Sequence, residues 1–212
     1  MFLCGVLLLG GLLFGFAGTL HYPGAWLFMA LLFIPMFLLG VGLMLRAPDL
    51  LEKRLRNKEM QGVQKGVIAL CGLLFMAVFA LCGLDHRFAW SHVPRGIVAF
   101  SSILQLVSYV LYAEVMRENA YISRVVEVQK GQKVVDTGLY GVVRHPMYAV
   151  TITLFLSMPL VLESYPAFLL MLLYPLLIIL RIRGEEALLL RKLDGYADYT
   201  RRVRWRLIPF IW

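Results

Sequence analysis

Four residues able to hold charged or polar groups crowd into one short run. They are Tyr140, Arg144, His145 and Tyr148, in Gly138-Leu139-Tyr140-Gly141-Val142-Val143-Arg144-His145-Pro146-Met147-Tyr148. Further on, Arg181-Ile182-Arg183-Gly184-Glu185-Glu186 adds two arginines and two carboxylates. Histidine exchanges protons near neutral pH. Arginine pairs with carboxylates through a planar fork, and tyrosine faces attract cations. Carboxylates accept from ammonium and hydroxyl groups. The first run leads directly into an apolar stretch, where ionisable groups are costly unless something uses them. The pattern reads as a catalytic site attached to a membrane anchor.

The elements that must position these groups are apolar blocks. The chain has 212 residues, of which 60% are hydrophobic and 16% charged. Ordinary soluble domains carry about 45–50% apolar and about 25% charged residues. The excess falls in six segments, 2–20, 25–45, 67–84, 96–116, 147–162 and 166–180, several of them close to the roughly 20 residues that cross a bilayer as a helix. The expected fold class is all-α, a polytopic integral membrane protein of about six transmembrane segments with a C-terminal helical hairpin at 147–180. Residues 1–116 form the N-terminal helices with a connector at 46–66. Residues 117–212 form the catalytic region.

The connections differ in charge. The 46–66 loop, the 117–146 stretch and the tail from Arg181 together hold 19 of the 21 basic residues. The positive-inside rule puts all three in the cytoplasm, and with them both termini and the active site. The same rule accounts for the net charge of +8 without nucleic acid. The first segment lacks a positive n-region and a small-x-small cleavage site, so it is expected to stay as a helix. Its Gly11-x-x-x-Gly15 spacing suits close helix packing. Part of the connector, 48–65, is weakly amphipathic and suits the inner interface.

The hairpin must return the chain to the side it left, carrying Arg181 and Glu185 back toward His145. Pro146 suits the first turn of the leading helix, and Pro175 should kink the returning one. Arg181 and Glu185 share one helix face. By themselves they fit a surface salt bridge worth about 0.3–0.5 kcal/mol; beside His145 and Arg144 they fit a functional role. His21, His86 and His92 fall in the outer loops with no assigned role. Asp85, His86 and His92 match no standard metal spacing, and no metal is expected. Cys4, Cys71 and Cys82 all sit in apolar blocks and read as small buried hydrophobes.

Gly138-x-Tyr140-x-x-x-Arg144-His145-Pro146-x-Tyr148, an apolar hairpin, Arg181-x-x-x-Glu185-Glu186 and Tyr196-x-x-Tyr199 together resemble the isoprenylcysteine carboxyl methyltransferase family. That family is itself similar to the phospholipid N-methyltransferases. The resemblance runs from about residue 125 to the C-terminus. It implies S-adenosylmethionine as cofactor, in a cytoplasmic pocket lined by Val125, Gln132, Lys133, Val134, Val135, Tyr140, His145, Pro146, Met147, Tyr148 and Glu185. It implies Arg181 at the methyl acceptor, a lipidic or small apolar molecule, with membrane lipids as the other partner. Arg181, Glu185, His145 and Arg144 are the expected catalytic group. The chain departs from the family pattern in Ala149, where glycine is usual, and in Leu193-Asp194-Gly195-Tyr196, one residue short of the usual Phe-Gly-x-x-Tyr. Placing Glu185 rather than Glu186 at the cofactor rests on the Arg-x-x-x-Glu spacing.

The residue types suit that chemistry. Aromatic faces such as Tyr140 and Tyr148 attract a sulfonium, and a carboxylate acceptor is already ionised at neutral pH. An amine or thiol acceptor needs a base, for which Glu185, Glu186 and His145 are all candidates. Two other classes stand beside this one. Membrane sterol and steroid reductases, which use NADPH, are similar around His-Pro-x-Tyr, though the Arg181-Glu185-Glu186 segment favours methyl transfer. A non-enzymatic membrane scaffold would need none of these side chains.

Overall fold

The structure is a computed structural model describing residues 2–46, 62–119, 121, 128–129 and 131–212. All regular structure among them is helical. In chain order the helices are α1 (Phe2–Ala17), α2 (Pro23–Arg46), α3 (Gly62–Phe88), α4 (Arg95–Glu118), a 3-10 turn at Gly138–Gly141, α5 (Pro146–Val161), α6 (Tyr165–Met171), α7 (Leu173–Lys192) and α8 (Tyr196–Arg202).

Four helical stretches are long and apolar enough to cross a membrane: Pro23–Gly42, Lys65–Phe88, Arg95–Glu118 and Tyr165–Lys192. Two of the six expected segments fall short. α1 and α5 have 16 residues each, roughly 24 Å of helix against a hydrocarbon core of about 30 Å. The sixth segment is longer than expected. It continues past Leu180 to Lys192, so Arg181, Glu185 and Glu186 ride inside α7 instead of following it. Its interruption falls at Leu172, between α6 and α7, three residues before Pro175. A proline leaves the carbonyl four residues earlier without its helical donor, so the break lies just upstream of the expected kink. The 48–65 connector lies outside the described residues, apart from its last few positions, which already belong to α3.

By its internal contacts the chain divides into two compact units. The first comprises residues 1–38, 70–109 and 152–175. Phe75, Phe155 and Tyr174 meet there edge to face, with centroids 4.7–5.8 Å apart. The glycines expected to let helices approach do not: a Cβ on Gly11 or Gly15 would meet nothing within 4 Å. The close approach is at Gly83, where a Cβ would lie 2.7 Å from the Phe16 Cβ and 2.9 Å from the Leu13 carbonyl. The Gly11–Gly15 spacing sits on an open face of α1.

Polar groups in this unit are used up locally. α3 runs on to Phe88, so Asp85 and His86 belong to its last turn instead of an outer loop. The Asp85 side chain accepts from the Ser91 amide (2.8 Å), the Ser91 hydroxyl (2.5 Å) and the Ser164 hydroxyl (2.5 Å). A buried carboxylate needs such donors. The Ser164 oxygen also caps α6 by accepting from the Ala167 amide, the usual role of serine at that position. Tyr22, fully buried, donates to the Leu162 carbonyl at 2.5 Å and stacks on His86 at 3.9 Å.

The second unit comprises residues 39–69, 110–151 and 176–212. It has two apolar centres. One gathers Val115, Met116, Tyr140 and Val150, with Val135, Leu139 and Met147 packed against them. The other gathers Leu189, Leu193, Tyr196, Tyr199 and Val203, with Val128 and Val134 against them.

Candidate functional site

The site lies wholly within the second unit, and local backbone chemistry sets it up. Gly138 adopts φ +54°, and a Cβ there would meet the Glu118 carboxyl carbon at 2.9 Å. Glycine satisfies both constraints at no steric cost. The same Glu118 carboxylate accepts from the Thr137 hydroxyl at 2.7 Å. The chain can therefore turn tightly at the end of α4 and drive Tyr140 into the first apolar centre. The Tyr199 hydroxyl donates to the Tyr140 carbonyl at 2.8 Å, tying α8 to the turn. Pro146 then opens α5, where its missing N–H costs nothing.

Two polar clusters form where α5 meets α7. In the first, the Tyr148 hydroxyl donates to Glu185 Oε2 at 2.6 Å and accepts from Arg181 Nε at 3.0 Å. All three side chains are half-buried. The tyrosine thus joins the two α7 residues expected to share a face. In the second cluster, Glu186 is the hub and is buried. Its Oε2 accepts from Arg206 Nε at 2.7 Å, while its Oε1 lies 3.2 Å from Arg144 Nε and 3.3 Å from His145 Nε2. The Arg144 Nε–H lacks hydrogen-bond alignment at that distance, so the contact is a charge pairing. His145 is buried, with its ring centroid 5.7 Å from that of Tyr148.

The consecutive glutamates therefore face different surroundings. Glu186 is enclosed by two guanidiniums and an imidazole. Glu185 is held by a neutral hydroxyl and remains half-exposed. Nearby, the Tyr196 hydroxyl is buried with no hydrogen-bond partner among the described residues. Burial, reinforced by the charge of Glu186, pushes its phenol well above the ordinary tyrosine range, and burial does the same to Tyr199. Both remain neutral donors at physiological pH.

The other expected site residues are placed as follows. Val134 packs into the α7–α8 centre, and Val135 and Met147 into the Tyr140 centre. Gln132 is used locally: its side-chain oxygen accepts from the Gln129 amide at 2.8 Å. Lys133 is exposed. Val125 lies outside the described residues. Of the outer histidines, His86 is engaged with Tyr22 and with the His21 carbonyl. Among the described residues no group of three His, Cys, Asp or Glu side chains is arranged to hold a metal ion. Cys4 is exposed and Cys71 partly so, contrary to the expectation of burial; Cys82 is buried.

The sequence reading missed Arg206 and the part played by Glu186. Arg206 counted only as one more basic residue of the tail. A usable signal was its isolation in the otherwise apolar run Trp205-Arg206-Leu207-Ile208-Pro209-Phe210-Ile211-Trp212.

The described residues thus form an all-helical chain with four helical stretches long and apolar enough to cross a membrane, and they gather Arg, His, Tyr and two Glu where α5 meets α7. Residues 97–195 match the model of the phospholipid methyltransferase family, a family of membrane methyltransferases that includes the isoprenylcysteine carboxyl methyltransferases. The match begins inside α4, earlier than the resemblance read from the motifs, and ends just before α8. It supports a methyltransferase and lends nothing to the reductase alternative. No curated protein matches the chain.

Proposed function

We propose that this chain is an integral membrane methyltransferase that uses S-adenosylmethionine to methylate a lipidic or small apolar acceptor, with its site and both termini on the cytoplasmic side. The carboxylate of an isoprenylated cysteine is the acceptor type that fits best. The observation that carries this reading is the Arg181–Tyr148–Glu185 cluster, assembled from the two arms of the hairpin inside the matched domain.

The donor set suits the cofactor. Glu185 is a half-exposed carboxylate open to an ammonium or to ribose hydroxyls. The Tyr148 ring and the half-exposed apolar residues beside it suit a sulfonium and an adenine. The buried Tyr196 hydroxyl, unpartnered among the described residues, offers a donor that burial makes costly to leave unmet. Bound there, S-adenosylmethionine supplies a methyl group on a positively charged sulfur, which a nucleophile displaces in line.

The chain's own residues contribute placement. Arg181 orients an acceptor carboxylate with its guanidinium. Tyr148 holds Arg181 and Glu185 in register through one hydroxyl. The apolar walls exclude water, and holding the partners together supplies much of the rate. A carboxylate acceptor needs no base.

An amine acceptor is the second reading, favoured by the description of the matched family itself. It requires a base, and Glu185 suits that role better than Glu186, whose two oxygens are already taken by cations.

The test is calorimetric titration of the purified protein with S-adenosylmethionine, followed by transfer of radiolabelled methyl into lipid extracts and into farnesylcysteine. Saturable binding that Glu185→Gln weakens, with label in a base-labile ester, is the expected result. Absence of binding by the wild-type protein refutes the reading; label in a lipid amine selects the second.

A further inference from the structure

The family match stops at residue 195, yet the next residues close on the Arg144–His145 corner. The Arg144 amide donates to the Trp205 carbonyl and the His145 amide to the Arg206 carbonyl, both at 2.9 Å. The tail then folds back on itself. The Arg206 and Leu207 amides donate to the Trp212 backbone oxygen at 2.8 and 2.9 Å, and the Trp212 amide to the Ile208 carbonyl at 3.1 Å. The Arg206 guanidinium lies over the Trp212 indole, 5.1 Å from its centroid. Backbone, ring and carboxylate thus fix Arg206 from three sides.

How Glu186 divides its oxygens shows what this does. An arginine beside a carboxylate favours a two-pronged pairing that takes both oxygens. Arg144 does not achieve that here. Arg206 occupies Oε2 at 2.7 Å, and Oε1 is left between Arg144 Nε and His145 Nε2. Remove Arg206 and the Glu186 carboxylate is free to swing into the Arg144 fork, taking Oε1 away from the imidazole. His145 then loses the acceptor that holds its Nε2–H and its ring plane.

We propose that the 203–212 segment is a clasp over the Arg144–His145 corner, and that Arg206 is a positioning residue that fixes His145 through Glu186. Arg206 touches neither cofactor nor acceptor in this scheme. Its effect on methyl transfer rests on the function proposed above, but its effect on His145 does not.

Carbethoxylation by diethyl pyrocarbonate, read histidine by histidine by mass spectrometry on the full chain in detergent, separates the two. His92, exposed, is the internal reference, and His86 reports on folding elsewhere. In Arg206→Gln the His145 rate should rise about tenfold, as expected for loss of one charge-assisted hydrogen bond, with His86 unchanged. Arg206→Lys, which keeps the charge but not the fork, should give a smaller rise of about threefold. Adding Arg206→Gln to Glu186→Gln should change the His145 rate no further, since one pathway cannot be cut twice.

In parallel, Arg206→Gln should raise KM for S-adenosylmethionine about threefold while kcat falls less, because binding geometry is lost before chemistry. A His145 rate within about twofold of wild type in Arg206→Gln overturns the proposal, as do effects of Arg206→Gln and Glu186→Gln that simply add. Should the glutamine variant fail to fold, the lysine variant decides: a raised His145 rate supports the clasp and an unchanged one overturns it. If the wild-type protein binds no S-adenosylmethionine, the functional reading fails and the His145 rates still test the clasp.

Discussion

Exchanging the two neighbouring glutamates for glutamine should separate stability from ligand binding. Glu186 has a side chain only 8% exposed, facing Arg144 at 9% and His145 at 5%. Neutralising it leaves the buried Arg144 guanidinium without its anion, a loss of about 3–5 kcal/mol in comparable buried pairs. Glutamine keeps one acceptor oxygen, and Arg206 is 35% exposed and partly hydrated, so the expected cost is at the low end, about 3 kcal/mol. Glu185→Gln differs. The amide oxygen still accepts from the Tyr148 hydroxyl, and the group is half-exposed, so the cost is about 0.5–1 kcal/mol. At about 2–4 °C per kcal/mol for a chain of this size, Glu186→Gln should lower Tm by roughly 6–12 °C and Glu185→Gln by roughly 1–4 °C. Binding should move the other way. S-adenosylmethionine affinity should fall at least about tenfold in Glu185→Gln, the loss of one charged contact. Folded Glu186→Gln should lose less. Scanning fluorimetry in detergent gives the first quantity and calorimetric titration the second. Equal melting of the two variants, or a larger stability loss in Glu185→Gln, would refute the assignment of scaffold to one carboxylate and ligand to the other.

Three further outcomes follow from the geometry. Tyr148→Phe removes the hydroxyl between Arg181 and Glu185, and should cost about 1 kcal/mol of stability but weaken cofactor binding about tenfold; unchanged affinity by titration would show that the hydroxyl only packs. Gly83→Ala places a methyl 2.7 Å from the Phe16 Cβ and should destabilise by about 1–3 kcal/mol, whereas Gly11→Ala, meeting nothing, should be neutral or slightly stabilising; melting temperatures of the pair check this. The raised phenols of Tyr196 and Tyr199 stabilise the fold in their neutral form, so their contribution is complete below the unfolded tyrosine value of about pH 10 and is lost as pH climbs through the higher folded values. Absorbance titration at alkaline pH should therefore show the same phenolate amplitude in wild type and in Tyr196→Phe/Tyr199→Phe until the protein unfolds. A smaller amplitude in the variant before unfolding would place those phenols in solvent.

The hairpin and the meeting of Arg181 and Glu185 with the His145 corner were legible because they follow from topology: two apolar helices joined by a few residues run antiparallel and bring their outer ends together. Pro146 and Gly138 were legible because backbone constraints are local. Other features depended on tertiary contacts that no local pattern encodes. Helix ends fall later than the apolar pattern suggests where polar residues continue an apolar helix, as Asp85 and His86 do in α3 and Arg181 onward in α7. Spacing named Gly11 and Gly15 as the packing glycines, but which face of α1 turns inward is decided by its neighbours, and Gly83 makes the contact. Arg206 was invisible for a related reason. Its partner is twenty residues away on α7, and its charge had an adequate explanation in the positive-inside rule.

The Glu185-Glu186 pair places two adjacent carboxylates in different surroundings. Successive residues on an α-helix point about 100° apart, so two adjacent carboxylates cannot serve the same pocket equally. One of them must turn toward the neighbouring chain. Here that one is Glu186, and the burial of Arg144 and His145 depends on it. A buried guanidinium needs an anion, and an anion so enclosed has little capacity left for a ligand. Glu185, held by one hydroxyl from Tyr148, keeps lone pairs to offer. The two roles are therefore linked. The tighter the cation cage around Glu186, the more firmly α7 is fixed in rotation, and the more narrowly Glu185 and Arg181 are aimed. Substitutions in the cage should thus reach ligand binding through the orientation of α7, while substitutions at Glu185 should leave the cage intact.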